Sequence, residues 1–247
     1  MIILRSALFN IVMYGSGAVL SLYGHAIWRI WPERVLGAGI MWAKFTLGAL
    51  RVICGTEIEL IGRENLPQEG PVVIAAQHQS AFDTMVWLLL LAKPVYVLKQ
   101  ELLKQPLMGA LMVPAGFIPV DRDGGAAAIR QLVKDSRKAA AAGKQIVIFP
   151  EGTRVPPGER VALLPGVVAM ANALNLPVVP AATDSGRYWG RNAFRKYPGQ
   201  LKIKIYPAVP AGAGRAEIIS RLNVCFYQLG VDKSVDSASP EFVNQLK

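Results

Sequence analysis

The sequence predicts an α/β domain built on a mixed, largely parallel sheet flanked by helices and preceded by an N-terminal, membrane-associated helical pair. Three observations predict it. Short β-rich runs alternate with helix-period segments through the main body of the chain. From Ser6 to Trp28 no residue is charged, a run long enough to span a bilayer as a helix. The composition, 52% hydrophobic and 18% charged with a mean hydropathy of +0.32, is too apolar for a typical soluble enzyme and too mixed for a multi-span membrane protein. At 247 residues the chain can bury one full core with little left for a second. The expected division is residues 1–53 as anchoring helices, 54–230 as the α/β domain and 231–247 as a polar tail.

Arg5 and Arg29 bracket the first apolar run, and no small-residue cleavage site follows it, which favours a retained anchor over a cleaved signal peptide. Pro32 breaks the helix and can begin the next. In Val35–Leu50, Leu36, Ile40, Ala43, Leu47 and Leu50 share one helical face, while Lys44 and Arg51 share another. This pattern suits the plane of a membrane interface and equally an amphipathic helix packed on the domain. Strands are expected at Glu57–Ile61, Pro71–Ala76, Val95–Lys99, Gly116–Val120, Ile146–Phe149 and Pro177–Ala182. Strict alternation in Leu201–Ile205 marks a further, half-exposed strand near a sheet edge. Helices are expected at Asp83–Leu91, at Gly125–Ala142 with Asp123 as its cap and Gly143 as its stop, at Gly166–Leu174 and at Arg215–Leu229. Pro119 within a strand suits an edge or a bulge.

Lys and Arg exceed Asp and Glu by 27 to 17, a net charge of +10 that attracts polyanions, lipid headgroups and nucleic acid alike. Cys54 and Cys225 provide neither a disulfide framework nor a zinc ligand set, so a reducing, cytosol-facing domain is expected.

The chain has two histidines, which narrows the search for a general base. His25 lies inside the N-terminal apolar run, whereas His78 lies at a strand-to-helix junction, where α/β folds build ligand sites. His78 and Asp83 are five apart, and on a regular helix their side chains would diverge by about 140°. They meet only with His78 in the loop and Asp83 in the first helical turn. Ser80-x-x-Asp83 ahead of an apolar run has the form of a capping box and favours that placement. Taken alone, these residues fit a helix cap as well as a catalytic pair. Phe149-Pro150-Glu151-Gly152-Thr153-Arg154 follows another strand with a carboxylate and a guanidinium, but alone it reads as a charged turn. Lys99, and Arg122 beside Asp121, also end strands. Together the cations suit a phosphate dianion, and singly each suits a solvated surface.

His78-x4-Asp83, Lys99-x-Glu101-Leu102 with Pro106 and Gly109, Gly116-Phe117-Ile118-x-x-Asp121-Arg122, Phe149–Arg154 and Val179-Pro180 occur in order, and together they resemble the glycerophospholipid acyltransferases. Among these, the chain looks most like the bacterial 1-acyl-glycerol-3-phosphate acyltransferases. The resemblance covers roughly residues 54–210. It implies that His78 deprotonates the acceptor hydroxyl while Asp83 orients it, and that the hydroxyl attacks the thioester of acyl-CoA or acyl-carrier protein without a covalent acyl-enzyme. It further implies that Glu151, Gly152, Thr153 and Arg154, with Arg122, bind the glycerol-phosphate part, and that Lys99 binds phosphate or stabilises the oxyanion. No metal or cofactor is implied beyond the acyl donor, and the expected location is the cell membrane with the catalytic domain on the cytoplasmic side. Gln77 departs from an Asn common before the histidine, and Leu164-Pro165-Gly166 lacks a lysine common after the last block. Gln77 retains the amide, so little effect is expected from it, whereas the missing lysine leaves room for another acceptor, such as a lyso-ornithine lipid.

A hydrolase is disfavoured because no Gly-x-Ser-x-Gly elbow occurs. Too few histidines and thiols are present for metal catalysis. A basic, non-catalytic lipid binder fits the charge, whereas nucleic-acid binding finds no motif.

Overall fold

A computed structural model describes residues 1–230; the expected polar tail, 231–247, lies outside the described residues. In chain order the elements are α1 (Ile2–Trp28), α2 (Val35–Ala49), β1 (Thr56–Ile61), β2 (Val72–Ala76), α3 (Asp83–Leu90), β3 (Pro94–Lys99), α4 (Gly109–Met112), β4 (Ile118–Val120), α5 (Gly125–Ala141), β5 (Gln145–Ile148), α6 (Gly166–Leu174), β6 (Val178–Thr183), α7 (Ser185–Tyr188), β7 (Gly199–Ile205) and α8 (Arg215–Asn223).

The strands form one sheet in the order β1-β7-β6-β2-β5-β3-β4. The β6–β7 pairing is antiparallel and the other five are parallel. Strand β2 is buried at every position, as a central parallel strand covered on both faces must be. Its side chains alternate between two cores. Val72, Ile74 and Ala76 face a cluster containing Phe9, Leu47 and Met85 from α1, α2 and α3. Val73 and Ala75 face the opposite cluster, with Leu132, Met170 and Leu222 from α5, α6 and α8. The architecture is therefore helices, sheet, helices, and α1 and α2 share one core with the sheet.

The alternation in 201–205 corresponds to β7, one strand in from the β1 edge, and Pro119 sits in the other edge strand, β4, where a missing donor costs least. Other expectations need correcting. Asp123 does not cap α5: the cap position is Gly124 without a side-chain bond. Asp121 instead turns its Oδ1 onto the Asp123 amide at 3.1 Å, an Asx-type turn just ahead of the helix. Regular α8 stops at Asn223, and the chain continues as a wider π-type turn, Val224–Leu229.

The segments Ile2–Trp28 and Pro32–Cys54 are each long and apolar enough to cross a membrane, which suggests membrane association. The buried positions of α1 are Ser6, Phe9, Met13, Gly17, Ser21, Gly24 and Ile27, three or four apart, forming a single stripe against the protein. Ile3, Leu4, Leu8, Ile11, Val19 and Leu22 face outward. The polar residues that interrupt the apolar run are thereby turned inward. The Asn10 Oδ1 accepts from Lys196 Nζ at 2.6 Å, and the Ser6 hydroxyl accepts from the Lys196 amide at 2.9 Å.

Candidate active site

The site lies at the carboxyl ends of β2 and β5, adjacent parallel strands. Where β2 ends, Gln77 donates its amide to Ala181 O at 2.8 Å and accepts from the Thr183 amide at 3.2 Å through its Oε1. The side-chain carbonyl thus secures the loop root to β6. The Gln79 Oε1 likewise accepts from the Gly186 amide of α7 at 3.1 Å.

Between these two ties sits His78. Its Nδ1 lies 3.2 Å from Asp83 Oδ2, and the same oxygen accepts the amides of Gln79 and Ser80, both at 2.7 Å. The expected capping box does not form: the cap position of α3 is Phe82 without a side-chain bond, Asp83 takes the Ser80 amide of the preceding loop, and the Ser80 hydroxyl accepts from the Phe82 amide. The loop amides and the His78 ring share one carboxylate, 2% exposed at the start of α3. Three donors converge on that one oxygen. With Nδ1 protonated toward Asp83, the Nε2 lone pair is left to accept a proton, and no described residue bonds to it. The imidazole stacks on Phe149, centroids 4.2 Å apart at 21°, and Phe149 stacks in turn on Tyr96.

The turn after β5 braces the loop from the other side. The His78 amide donates to Glu151 Oε2 at 2.7 Å, and the His78 carbonyl accepts from the Val155 amide at 2.7 Å. Glu151 is 5% exposed, and burial pushes its carboxyl up to about 7, against the lowering effect of the bonds from His78 and Tyr227. Its other oxygen, Oε1, accepts from the Tyr227 hydroxyl at 2.8 Å. Gly152 adopts φ +69°, and a Cβ there would sit 2.5 Å from the Leu164 side chain, so the turn admits only glycine without strain. Thr153 is exposed. Arg154 is half-buried, with no hydrogen bond to a described residue, and burial holds its guanidinium below its usual range while nearby Asp83 opposes that shift.

The third group lies further along the sheet, at β3 and β4. Lys99 pairs with Glu101 at 2.8 Å, and Glu101 also feels the charge of Arg122. Arg122 Nη1 donates to the Gly152 carbonyl, linking the β4 end to the β5 turn. The structure therefore brings His78, Asp83, Glu151, Gly152 and Arg122 into one bonded network, with Arg154 beside it. Lys99 joins only through the charges of Glu101 and Arg122. Sequence reasoning missed Tyr227 and the bracing roles of Gln77 and Gln79. Nothing local marks Tyr227, which lies 76 residues from its partner.

A buried carboxylate holding one nitrogen of an imidazole, with the other nitrogen free at a strand end and cations nearby, is an arrangement that can do general acid–base chemistry on an anionic substrate. The chain belongs to the acyltransferase family, whose model matches residues 57–184, and it is an acyltransferase. It is 33% identical over 222 residues to a 1-acyl-sn-glycerol-3-phosphate acyltransferase of Pseudomonas aeruginosa, a match covering 89% of this chain and 86% of the relative. A coconut (Cocos nucifera) enzyme of the same name is 27% identical over 212 residues, 85% of this chain and 68% of the relative. The crystal structure of the 1-acyl-sn-glycerophosphate acyltransferase PlsC of Thermotoga maritima shares the fold, with a TM-score of 0.75 at 19% identity over 96% of this chain and all of that one.

Proposed function

We propose that the protein transfers an acyl chain from acyl-CoA or acyl-carrier protein to the free hydroxyl of 1-acyl-glycerol-3-phosphate, producing phosphatidate. The carrying observation is the His78 Nδ1–Asp83 contact, which leaves Nε2 as the acceptor. His78 Nε2 takes the hydroxyl proton as the oxygen attacks the thioester carbonyl carbon. The tetrahedral oxyanion collapses, the C–S bond breaks, and the imidazolium returns the proton to the departing thiolate. Asp83 stabilises the imidazolium and holds its orientation. Arg154 and Arg122 grip the acceptor phosphate, and Lys99 serves the same anion from the β3 end, next to Arg122 and distant from Nε2 by two strands. The names of the relatives support this acceptor.

Both substrate and product are membrane lipids, which gives the outward apolar face of α1 its purpose: it seats the domain on the cell membrane, with the site on the cytoplasmic side. The deciding experiment is a panel of lyso-lipid acceptors with radiolabelled acyl donor, wild type against His78→Ala. Activity on lysophosphatidate that is lost in the variant supports the proposal. Activity confined to another acceptor, such as a lyso-ornithine lipid, replaces the substrate, and a fully active His78→Ala protein overturns the mechanism.

A further inference from the structure

Glu151 is buried without an ion-pair partner among the described residues, and its carboxylate is met instead by two uncharged donors. One is the His78 amide, from the loop after β2. The other is the Tyr227 hydroxyl, from the last turn of the C-terminal Val224–Leu229 segment. We infer that Tyr227 is a positioning residue for the reaction: by fixing Glu151 it sets the main chain of His78 and, through it, the imidazole against Phe149. The inference rests on the acyl-transfer reading above.

The His78 backbone is held at both ends by the 150–155 turn, at its amide by Glu151 and at its carbonyl by Val155. The second of these bonds is main chain to main chain, and its geometry follows from the turn, which the Leu164 amide fastens to Pro150 O at 2.7 Å. The first depends on a side chain, and a carboxylate bonded through one oxygen still rotates. Tyr227 removes that freedom by bonding the other oxygen.

Tyr227 is itself held on several sides. Arg160 lies over its ring at 5.7 Å and donates to its carbonyl at 3.0 Å, and the Tyr206 hydroxyl fastens the end of the segment by donating to Gly230 O at 2.6 Å. The contact is a braced strut running from the C-terminal segment to the base. With both oxygens bonded inside the protein, Glu151 acts as a brace, and acceptor binding falls to the arginines.

The charged and titratable groups around Glu151 set the sign of the expected pH effect. Burial and the Asp83 carboxylate raise its pKa, and the His78 amide and Tyr227 hydroxyl lower it, while Arg122 bonds the neighbouring Gly152 carbonyl, Arg154 sits on the same turn and Arg160 lies behind Tyr227. Removing the hydroxyl raises the Glu151 pKa further, so the variant needs a higher pH to hold the brace ionised.

The test compares Tyr227→Phe with wild type, as the full chain in micelles, by pH-resolved kinetics and by NMR of labelled histidine. With only two histidines, a His25→Gln background assigns the His78 signal. The expected result is a kcat lowered about tenfold at pH 7, an acidic limb moved up by about one pH unit, and a displaced His78 ring signal, as for loss of one hydrogen bond to a charged group. KM for the lyso-lipid stays within about twofold, because uniform substrate binding is untouched. Arg160→Ala shifts the same readouts by less. Wild-type kinetics with an unmoved His78 signal overturns the inference, and so does a lowered melting temperature with an unchanged limb and signal, which marks a merely structural hydroxyl. Should wild type transfer no acyl group, the functional reading fails, and the NMR comparison still decides the strut.

Discussion

Two buried carboxylates flank His78 from opposite loops, and they differ in where their partners come from. Among the described residues, Asp83 bonds only to partners within five positions of itself: the His78 ring and the amides of Gln79 and Ser80. Glu151 bonds to residues 73 and 76 positions away, the His78 amide and the Tyr227 hydroxyl. In the proposed mechanism Asp83, the first residue of α3, gathers the loop amides and orients the base, a device that a short peptide segment can encode. Glu151 is a brace that exists only after β2, β5 and the C-terminal segment have packed together. The first sets which nitrogen is free, and the second sets where the ring stands.

Substitutions separate these roles. The largest effect is expected from His78→Ala, which removes the proposed base and should lower kcat by about 10²–10⁴-fold. Next comes Asp83→Asn: the amide cannot stabilise an imidazolium as a carboxylate does, so kcat should fall by about 10²-fold or more. Loss of the charged acceptor for the Gln79 and Ser80 amides should also lower stability by about 1 kcal/mol, read from chemical denaturation. An Asp83→Asn enzyme with near-normal kcat would reduce Asp83 to an acceptor for the loop amides and break the comparison.

Arg154→Gln should act on the acceptor alone, raising its KM by about 10- to 100-fold, as for loss of a charged hydrogen bond to phosphate. Lys99→Met should change KM less and leave kcat nearly intact. A fall in kcat with KM unchanged would assign Lys99 to the oxyanion instead.

The smallest and most diagnostic effect concerns stability. The folded Glu151 carboxyl, at about 7, holds its proton more tightly than the ordinary value of 4.5, so the native state binds more protons between those pH values and loses stability as pH rises through them. Glu151→Gln should flatten that decline in melts taken from pH 4.5 to 7.5. An unchanged slope would mean that Glu151 is ionised throughout.

The same contrast between local and distant partners governs what was legible. Strand alternation, the Pro119 edge and the His78-x4-Asp83 spacing were readable because each depends on residues a few positions apart. The Asp123 cap failed because the helix starts one residue later, with Gly124 at the cap position and the Asp123 amide held by Asp121. The first apolar run also carries polar residues, Ser6 and Asn10 among them. In the fold, Asn10 meets Lys196 and Ser6 meets the Lys196 amide, so the outward face keeps its apolar character.

By itself, then, the chain specified an α/β sheet, an apolar N-terminus and a histidine beside an aspartate at a helix start, since hydrophobic periodicity, chain stiffness and local hydrogen bonding act over one or two turns. Tertiary structure alone decided that Glu151 turns inward to brace the base, that Tyr227 holds it, and that Arg122 closes onto the Gly152 carbonyl. Those choices come from the cost of burying a polar group, which selects whatever donor the packing brings within reach, regardless of its distance along the chain.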